Sequence, residues 1–303
     1  MQDLSSEYDS SGIITDGTAL MARASEDGFL FFRNLLPAEK VMDLRRDVLA
    51  ILEEESLLCE EHSLMEGIAS TKRVAELQNP AGTCGTREIY QKVQQMEKFH
   101  QLAHHPKVLE VFENLFGGDV LVHPRNIMRI VMPAEGVFPT DPHQDYIYIN
   151  GSLDTWTSWI PLGDCPMPTG NLAVLKGSHR MGLLPVKDGR GAGGLCALVD
   201  DAEHDWIHFD FKCGDVLMFS SQTVHKSVPT QHPERIRLSL DFRYQSRSEP
   251  IHPSSLHPHM GYLNWEEVYS NWKSDGLKFY WEKHELNLSN NSYLDENPHL
   301  RQG

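Results

Sequence analysis

From Asp119 to about Tyr244 the chain breaks into short β-prone runs, each closed by Gly, Pro or Asp, and this rhythm limits the folds open to it. The runs read VLVHPRNIMRIVMP, YIYING, DTWTSWIPLGD, GNLAVLKGSH, WIHFDFKCGD, VLMFSS and RIRLSLDFRY. Many short strands joined by turns predict a sandwich or barrel, and the jelly roll is one closed form of it. The last run alternates strictly. Arg235, Arg237 and Ser239 share one strand face, while Ile236, Leu238 and Leu240 share the other.

Ahead of this stretch the period changes. DGFLFFRNLLP reads as a buried strand closing at Pro37, and Ala38–Leu58 then carries Val41, Leu44, Val48, Ile51 and Leu52 at helical spacing. Pro37 and Glu39 fit a helix start. A second helical region spans about Ile89–Phe116, interrupted near His104-His105-Pro106 and closed by Gly117-Gly118. Residues 1–24 read as a flexible segment, and 25–303 as a single domain. That domain has helical support over about 38–116, a jelly-roll core over about 119–245 and a helical extension over about 246–303. In the extension, WEEVYSNWKSDGLKFYW is the aromatic-rich helix candidate. The expected class is mainly β with flanking helices.

Three residues of the β-rich part stand out. His143 and Asp145 form an H-x-D pair in FPTDPHQDYIYING, and His225 follows a strand-like run in KCGDVLMFSSQTVHKS. Pro139 and Pro142 punctuate a loop before Tyr146–Ile149, which reads as β-prone. In extended backbone, side chains two apart face the same way, so His143 and Asp145 converge while Gln144 turns away. Two imidazoles and one carboxylate on one face of a metal leave three positions open. That arrangement suits Fe(II) holding a chelating co-substrate and dioxygen. Taken singly, a buried histidine is more often hydrogen-bonded core, and an aspartate more often caps a turn. The strand context and the downstream arginines favour the metal site. A guanidinium at Arg235 or Arg237 binds a carboxylate through two parallel hydrogen bonds.

Bulk properties narrow the partners. A net charge of −16 argues against nucleic acid or an anionic membrane surface. No apolar run reaches the roughly 18 residues of a membrane span, and the polar MQDLSSEYDSSG is unlike a secretory signal. Five cysteines, Cys59, Cys84, Cys165, Cys196 and Cys213, are an odd number without C-x-x-C spacing. They predict neither a disulfide framework nor a structural zinc site, and a cytoplasmic setting follows.

Together these elements resemble the phytanoyl-CoA dioxygenase family of Fe(II)- and 2-oxoglutarate-dependent oxygenases, over roughly residues 25–245. The resemblance rests on DGFLFFRNLLP, the HQD of His143–Asp145, WTSWIPLGD, GNLAVLKGSH, GDVLMFSSQTVHKS and RIRLSLDFRY. It implies a double-stranded β-helix, a cupin-like jelly roll, with His143, Asp145 and His225 as iron ligands. It also implies that an arginine early in the last core strand pairs with the far carboxylate of 2-oxoglutarate. Arg235, four before Ser239, is favoured, although its spacing from His225 is one short, which keeps Arg237 open. Ser227 matches a hydroxyl that binds the same carboxylate, and Trp159 an aromatic residue near it. Ser227 as a turn former, Trp159 as plain core, and one arginine as the ion-pair partner of Asp241 or Asp215 are the competing readings.

The activity implied is hydroxylation, or a related oxidation, of an unactivated C–H bond of a small molecule. It consumes O2 and 2-oxoglutarate and releases succinate and CO2, with ascorbate supporting activity. Halogenating relatives need a small residue at Asp145, so halogenation is not expected. Family substrates include acyl-CoA thioesters, compatible solutes, phosphonates and natural products. Without a basic cluster for a CoA phosphate, a smaller metabolite or natural product is favoured. The rivals are a non-catalytic metal- or ligand-binding jelly roll and a metal-assisted hydrolase.

Weaker clusters point elsewhere. His204 and His208 lie on a strand-like run at a spacing too long for one ion, and His257-Pro258-His259 reads as a polar loop. Gly191–Gly194 with Arg190 reads as a flexible loop near the pocket rather than a phosphate loop. Arg125 and Arg129 are candidates for an anionic substrate or for surface salt bridges.

Overall fold

Antiparallel pairing organises the chain. The computed structural model describes residues 3–77, 83–135, 137–200, 206–232 and 234–301. Its strands are β1 (Phe29–Phe32), β2 (Val120–Val122), β3 (Ile127–Val131), β4 (Trp156–Pro161), β5 (Leu172–Leu175), β6 (Val186–Asp188), β7 (Leu195–Ala197), β8 (Trp206–Ile207), β9 (Val216–Ser220), β10 (His225–Ser227) and β11 (Arg237–Ser246). The larger sheet runs β1-β9-β4-β11-β2, and β3 also pairs with β11. A smaller sheet runs β10-β5-β8, and β6-β7 forms a hairpin. The two main sheets face each other as a jelly roll, the double-stranded β-helix expected from the sequence.

Period-2 alternation explains why the larger sheet is buried on both faces. Phe29, Phe31, Trp159, Leu217 and Phe219 point into the barrel, against Leu172, Val174, Ile207, Phe209 and Phe211. Their neighbours Leu30, Phe32, Ile160, Val216 and Met218 point outward into a second core. That core is closed by helices, so the strands read as continuous apolar runs. β11 differs. Leu238, Leu240, Phe242 and Tyr244 join the outer core, whereas the inward series Arg237, Ser239, Asp241 and Arg243 is polar. A barrel interior with polar residues marks where the site lies.

The helices are α1 (Ser5–Tyr8), α2 (Gly17–Asp27), α3 (Ala38–Glu54), α4 (Thr71–Ala75), α5 (Arg87–Gln94), α6 (Glu97–Ala103) and α7 (Pro106–Phe116). α3 buries Val41, Leu44, Val48, Leu49 and Leu52 and stops before Ser56, whose φ of 58° breaks the helix. The region expected as one interrupted helix is α5, α6 and α7. The Thr86 hydroxyl caps α5, and His105 caps α7 with Pro106 in its first turn.

Two expectations are corrected. The segment expected as flexible over 1–24 holds α1, a 3-10 turn at Ser11–Ile13 and most of α2. Asp16 caps α2 by accepting from the Ala19 amide at 3.0 Å, Leu20 and Ala24 are buried, and the Ser10 amide donates to the Phe31 carbonyl. A stripe of only two buried apolar residues is too faint to read from sequence. The tail, in turn, holds only short helical pieces, and within the aromatic-rich run these are Trp265–Val268 and the start of the 3-10 turn Tyr280–Lys283. Met260 and Phe279 have positive φ, and the aromatic run packs as a cluster with Trp265, Tyr269, Trp272 and Trp281 around Leu121 and Ile251. No helix among the described residues is long and apolar enough to cross a membrane.

Two buried histidines link this packing to pH. His100 donates from Nε2 to the Gln94 carbonyl at 2.9 Å and accepts at Nδ1 from the Asn126 amide at 3.1 Å. A second ring proton would face a donor. Burial pushes His100 down to about 4 from an ordinary 6.5, and does the same to His123. Between those values the unfolded chain binds more protons, so stability held above pH 6.5 is lost as pH falls towards 4. The expected loss is roughly 1.4 kcal/mol per histidine per pH unit in that window. Urea midpoints at pH 7.5, 6 and 5 check it, and a flat profile contradicts it.

Candidate active site

His143 and Asp145 are brought to His225 by backbone bonding. His143 and His225 form a two-bond antiparallel bridge, each amide donating to the other's carbonyl at 3.0 Å. The ring centroids lie 4.1 Å apart. Asp145 is not in a strand. It begins the short helix α8 (Tyr146–Ile149) in right-handed helical conformation. The expected β-run is therefore corrected. The chain coils because the Tyr148 and Ile149 amides bond back to the Asp145 carbonyl. Gln144 does turn away. It donates to the Gly182 and Gln222 carbonyls at 2.8 and 2.7 Å and accepts from the Leu184 amide, which anchors the turn.

All three side chains are buried, and ligand atoms of the three lie within 4.8 Å of one another. His143 Nε2 and His225 Nε2 stand 3.9 and 3.8 Å from Asp145 Oδ1. Those separations exceed a hydrogen bond, so the lone pairs are not spent on each other. Nδ1 of His143 donates to the Asp141 carbonyl at 2.9 Å, and Nδ1 of His225 to that of Thr223 at 3.0 Å. This fixes the tautomer that leaves Nε2 free to ligate. Burial, together with the neighbouring His225, pushes His143 down to about 3, which keeps it neutral. Burial alone would raise Asp145, but Arg243, His225, His143 and the Thr157 hydroxyl outweigh it and hold the carboxyl well below the usual range. Two imidazoles and a carboxylate fit a divalent first-row ion. Among the described residues this is the only such cluster.

The cavity beside the triad is lined by Thr140, Trp159, Ser227, Arg237 and the Arg129–Asp241 pair, among others. Ser227 thus lines the same cavity as the triad. Trp159 is both core and wall, buried in the barrel cluster with the Arg237 guanidinium 5.9 Å from its ring centroid. The two candidate arginines stand in different places. Arg237 lines the triad cavity, whereas Arg235 is exposed and its backbone bridges Ile68 at the mouth. Parity could not separate them, since both lie on one face. Neither is the ion-pair partner of Asp241 or Asp215. Those partners are Arg129, at 2.7 Å, and Arg33. Arg129 is thus a half-buried cavity residue, and Arg125 donates to the Ser254 carbonyl at 3.0 Å.

Sequence reasoning missed Thr157 and Arg243, which both hold the far oxygen of Asp145. Thr157 Oγ1 donates to Oδ2 at 2.7 Å, and Arg243 Nη2 lies 3.7 Å from it. The signal was present, because each lies two residues from an inward-facing neighbour, Trp159 or Asp241. The Gly191–Gly194 loop joins β6 to β7 and presses Ala192 into the triad cavity. A Cβ at Gly191, φ +84°, would meet the Thr140 Cα at 2.4 Å, so glycine is required for that approach. His208 follows β8, His204 lies outside the described residues, and His259 Nδ1 bonds the Tyr90 hydroxyl at 2.6 Å.

A jelly roll with two imidazoles and a carboxylate at its mouth, and a guanidinium beyond, is the architecture of the non-haem iron, 2-oxoglutarate-dependent oxygenases. The profile described as Phytanoyl-CoA dioxygenase (PhyH) matches residues 24–236. The chain belongs to this family and is an Fe(II)- and 2-oxoglutarate-dependent dioxygenase acting on a small molecule. It is 28% identical over 269 residues to 1-deoxypentalenic acid 11-beta-hydroxylase of Streptomyces arenae, covering 82% of this chain and 88% of that one, with the same figures for the Streptomyces exfoliatus enzyme. Among solved structures it is similar to the epimerase SnoN in complex with Fe3+, alpha ketoglutarate and nogalamycin RO. That match has a TM-score of 0.56 and 20% identity, covering 78% of this chain and 86% of that one. EctD from S. alaskensis in its apoform matches at TM-score 0.54 and 17% identity, covering 77% and 78%.

Proposed function

We propose that His143, Asp145 and His225 hold Fe(II), that Arg237 and Ser227 anchor the far carboxylate of 2-oxoglutarate beside Trp159, and that the reaction is hydroxylation of an aliphatic C–H bond. The observation carrying this reading is the convergence of three unspent donor atoms on one point, with an uncompensated guanidinium in the same cavity. Hydroxylation, among the outcomes open to the family, is supported by the named activity of the Streptomyces relatives. Bound here, iron with 2-oxoglutarate and O2 supplies the oxidising power for C–H cleavage. The chain supplies position and dryness. The Asp141 and Thr223 carbonyls aim the imidazoles, Thr157 and Arg243 fix the carboxylate, and the Trp159–Phe211 aromatic wall keeps water from the barrel interior. Arg237 donates to Ser239 Oγ at 2.5 Å, while its Nε is buried with no hydrogen-bond partner among the described residues. A buried donor left in that state is costly unless an acceptor arrives. No disulfide joins the cysteines among the described residues, which supports a reducing, cytoplasmic setting.

Anaerobic addition of Fe(II) and then 2-oxoglutarate to the protein tests the reading. A visible charge-transfer band, followed by succinate release on admitting air, is expected; neither signal appearing would refute it. Thr157→Val keeps the side-chain shape but removes the donor to Asp145. It is expected to weaken iron binding roughly 10- to 100-fold, read by competition with a chelator. Unchanged affinity would show that the hydroxyl does not support the carboxylate.

A further inference from the structure

Guanidiniums gather around one cavity with no acid among its described lining residues. Besides the triad space there is a cavity of about 340 Å³, walled by Val131, Met132, Val137, Phe138 and Val228 and meeting the triad cavity at Thr83, Ser227 and Arg237. Its charged lining residues, among those described, are Arg235 and Arg237, with no Asp or Glu. Arg45 lies behind them, satisfied by the Met65 and Leu162 carbonyls rather than by a carboxylate. Burial and the charge of Arg235 both lower it, so the two cations feel each other. None of Arg45, Arg235 and Arg237 has an ion-pair partner among the described residues, whereas Arg33, Arg129 and Arg243 each have one. In a chain of net charge −16 this is a local excess of positive charge beside an apolar space.

One carboxylate of 2-oxoglutarate on Arg237 leaves Arg235 uncompensated. We propose that the substrate is a compact apolar carboxylic acid whose hydrocarbon body fills the 340 Å³ cavity and whose carboxylate pairs with Arg235 at its rim. The inference rests on the oxygenase reading and deepens it by naming the substrate class. The apolar walls select a body without charge or many hydroxyls, since each unpaired polar group would be desolvated against them. A single guanidinium matches the planar, singly charged carboxylate. A phosphate dianion would need further donors, and the lining offers no lysine. The two cavities share Thr83, Ser227 and Arg237, so a body seated here lies beside the triad cavity and can present a C–H bond to it.

The test is calorimetric titration of 1-adamantanecarboxylate, 1-adamantanecarboxamide and 1-adamantanephosphonate into the full chain. It is run metal-free and again anaerobically with Fe(II) and 2-oxoglutarate; 2-oxoglutarate affinity is measured separately. The carboxylate is expected to bind about tenfold or more tighter than the amide, as befits a charged hydrogen bond, and tighter than the phosphonate. Arg235→Gln should erase that preference without changing 2-oxoglutarate affinity, and being exposed it should not disturb folding. Phe138→Ala should weaken acid and amide alike. Equal binding of acid and amide, a preference for the phosphonate, or an Arg235→Gln loss shared equally by 2-oxoglutarate would each overturn the proposal. Failure of the wild type to bind 2-oxoglutarate would count against the oxygenase reading, and the metal-free titrations report the Arg235 site independently of it.

Discussion

Asp145→Ala protein is expected to emerge from purification without iron and to release no succinate from 2-oxoglutarate. The carboxylate supplies the anionic charge of the centre, and two imidazoles alone retain a divalent ion less well. The loss should exceed the roughly 10- to 100-fold typical of outer supporting groups. A cost in stability accompanies it. Arg243 Nη2, 3.7 Å from Asp145 Oδ2, would be left as a buried cation without its partner, a change typically worth about 3–5 kcal/mol. Asp145→Asn separates the effects, since it keeps the shape and the Thr157 contact but not the charge. Metal content, succinate release and a urea midpoint measured together check the expectation. Wild-type turnover by either variant would remove Asp145 from the chemistry.

The second large effect distinguishes two arginines two residues apart. Arg237→Ala should raise KM for 2-oxoglutarate by on the order of 30- to 1000-fold, the equivalent of about 2–4 kcal/mol for a desolvated charge-assisted pair. Arg237→Lys should recover only part of it, because an ammonium cannot form the paired hydrogen bonds of the planar fork. Arg235→Ala should leave that KM within about threefold, the scale of an exposed charge change. The reverse pattern would return the anchoring role to Arg235. Both KM values come from one assay, 2-oxoglutarate consumption at varied co-substrate, so the ranking does not depend on knowing the prime substrate.

Parts of the site were legible because alternation and spacing are local properties. RIRLSLDFRY announces one apolar and one polar face, and the fold turns them to the helices and to the barrel interior. His143, Asp145 and His225 could be chosen because each sits beside a turn or strand end. What remained hidden depends on contacts distant in sequence. Tyr146–Ile149 carries strand-forming residues yet coils, since the Tyr146 amide bonds the Ser221 carbonyl and the next amides bond back to Asp145; tertiary context overrides intrinsic preference over so few residues. Arg235 and Arg237 share a face, and only the bridge from Arg235 to Ile68 shows which stands at the mouth. The N-terminal helix α2 shows one buried stripe of Leu20 and Ala24, too little pattern to read without the α7 surface it covers.

The reciprocal amide bonds between His143 and His225 carry a consequence for metal selection. Because backbone pairing assembles the ligands, the polypeptide does not need an ion to reach its folded form, unlike small domains that are unfolded without zinc. A ready-made nest of two nitrogens and an oxygen also welcomes nickel, copper or zinc, which on the divalent affinity series outrank ferrous iron. Occupancy by the productive ion is then decided by cellular supply, and protein isolated without attention to that supply should arrive folded, stable and idle until the intruding ion is stripped out.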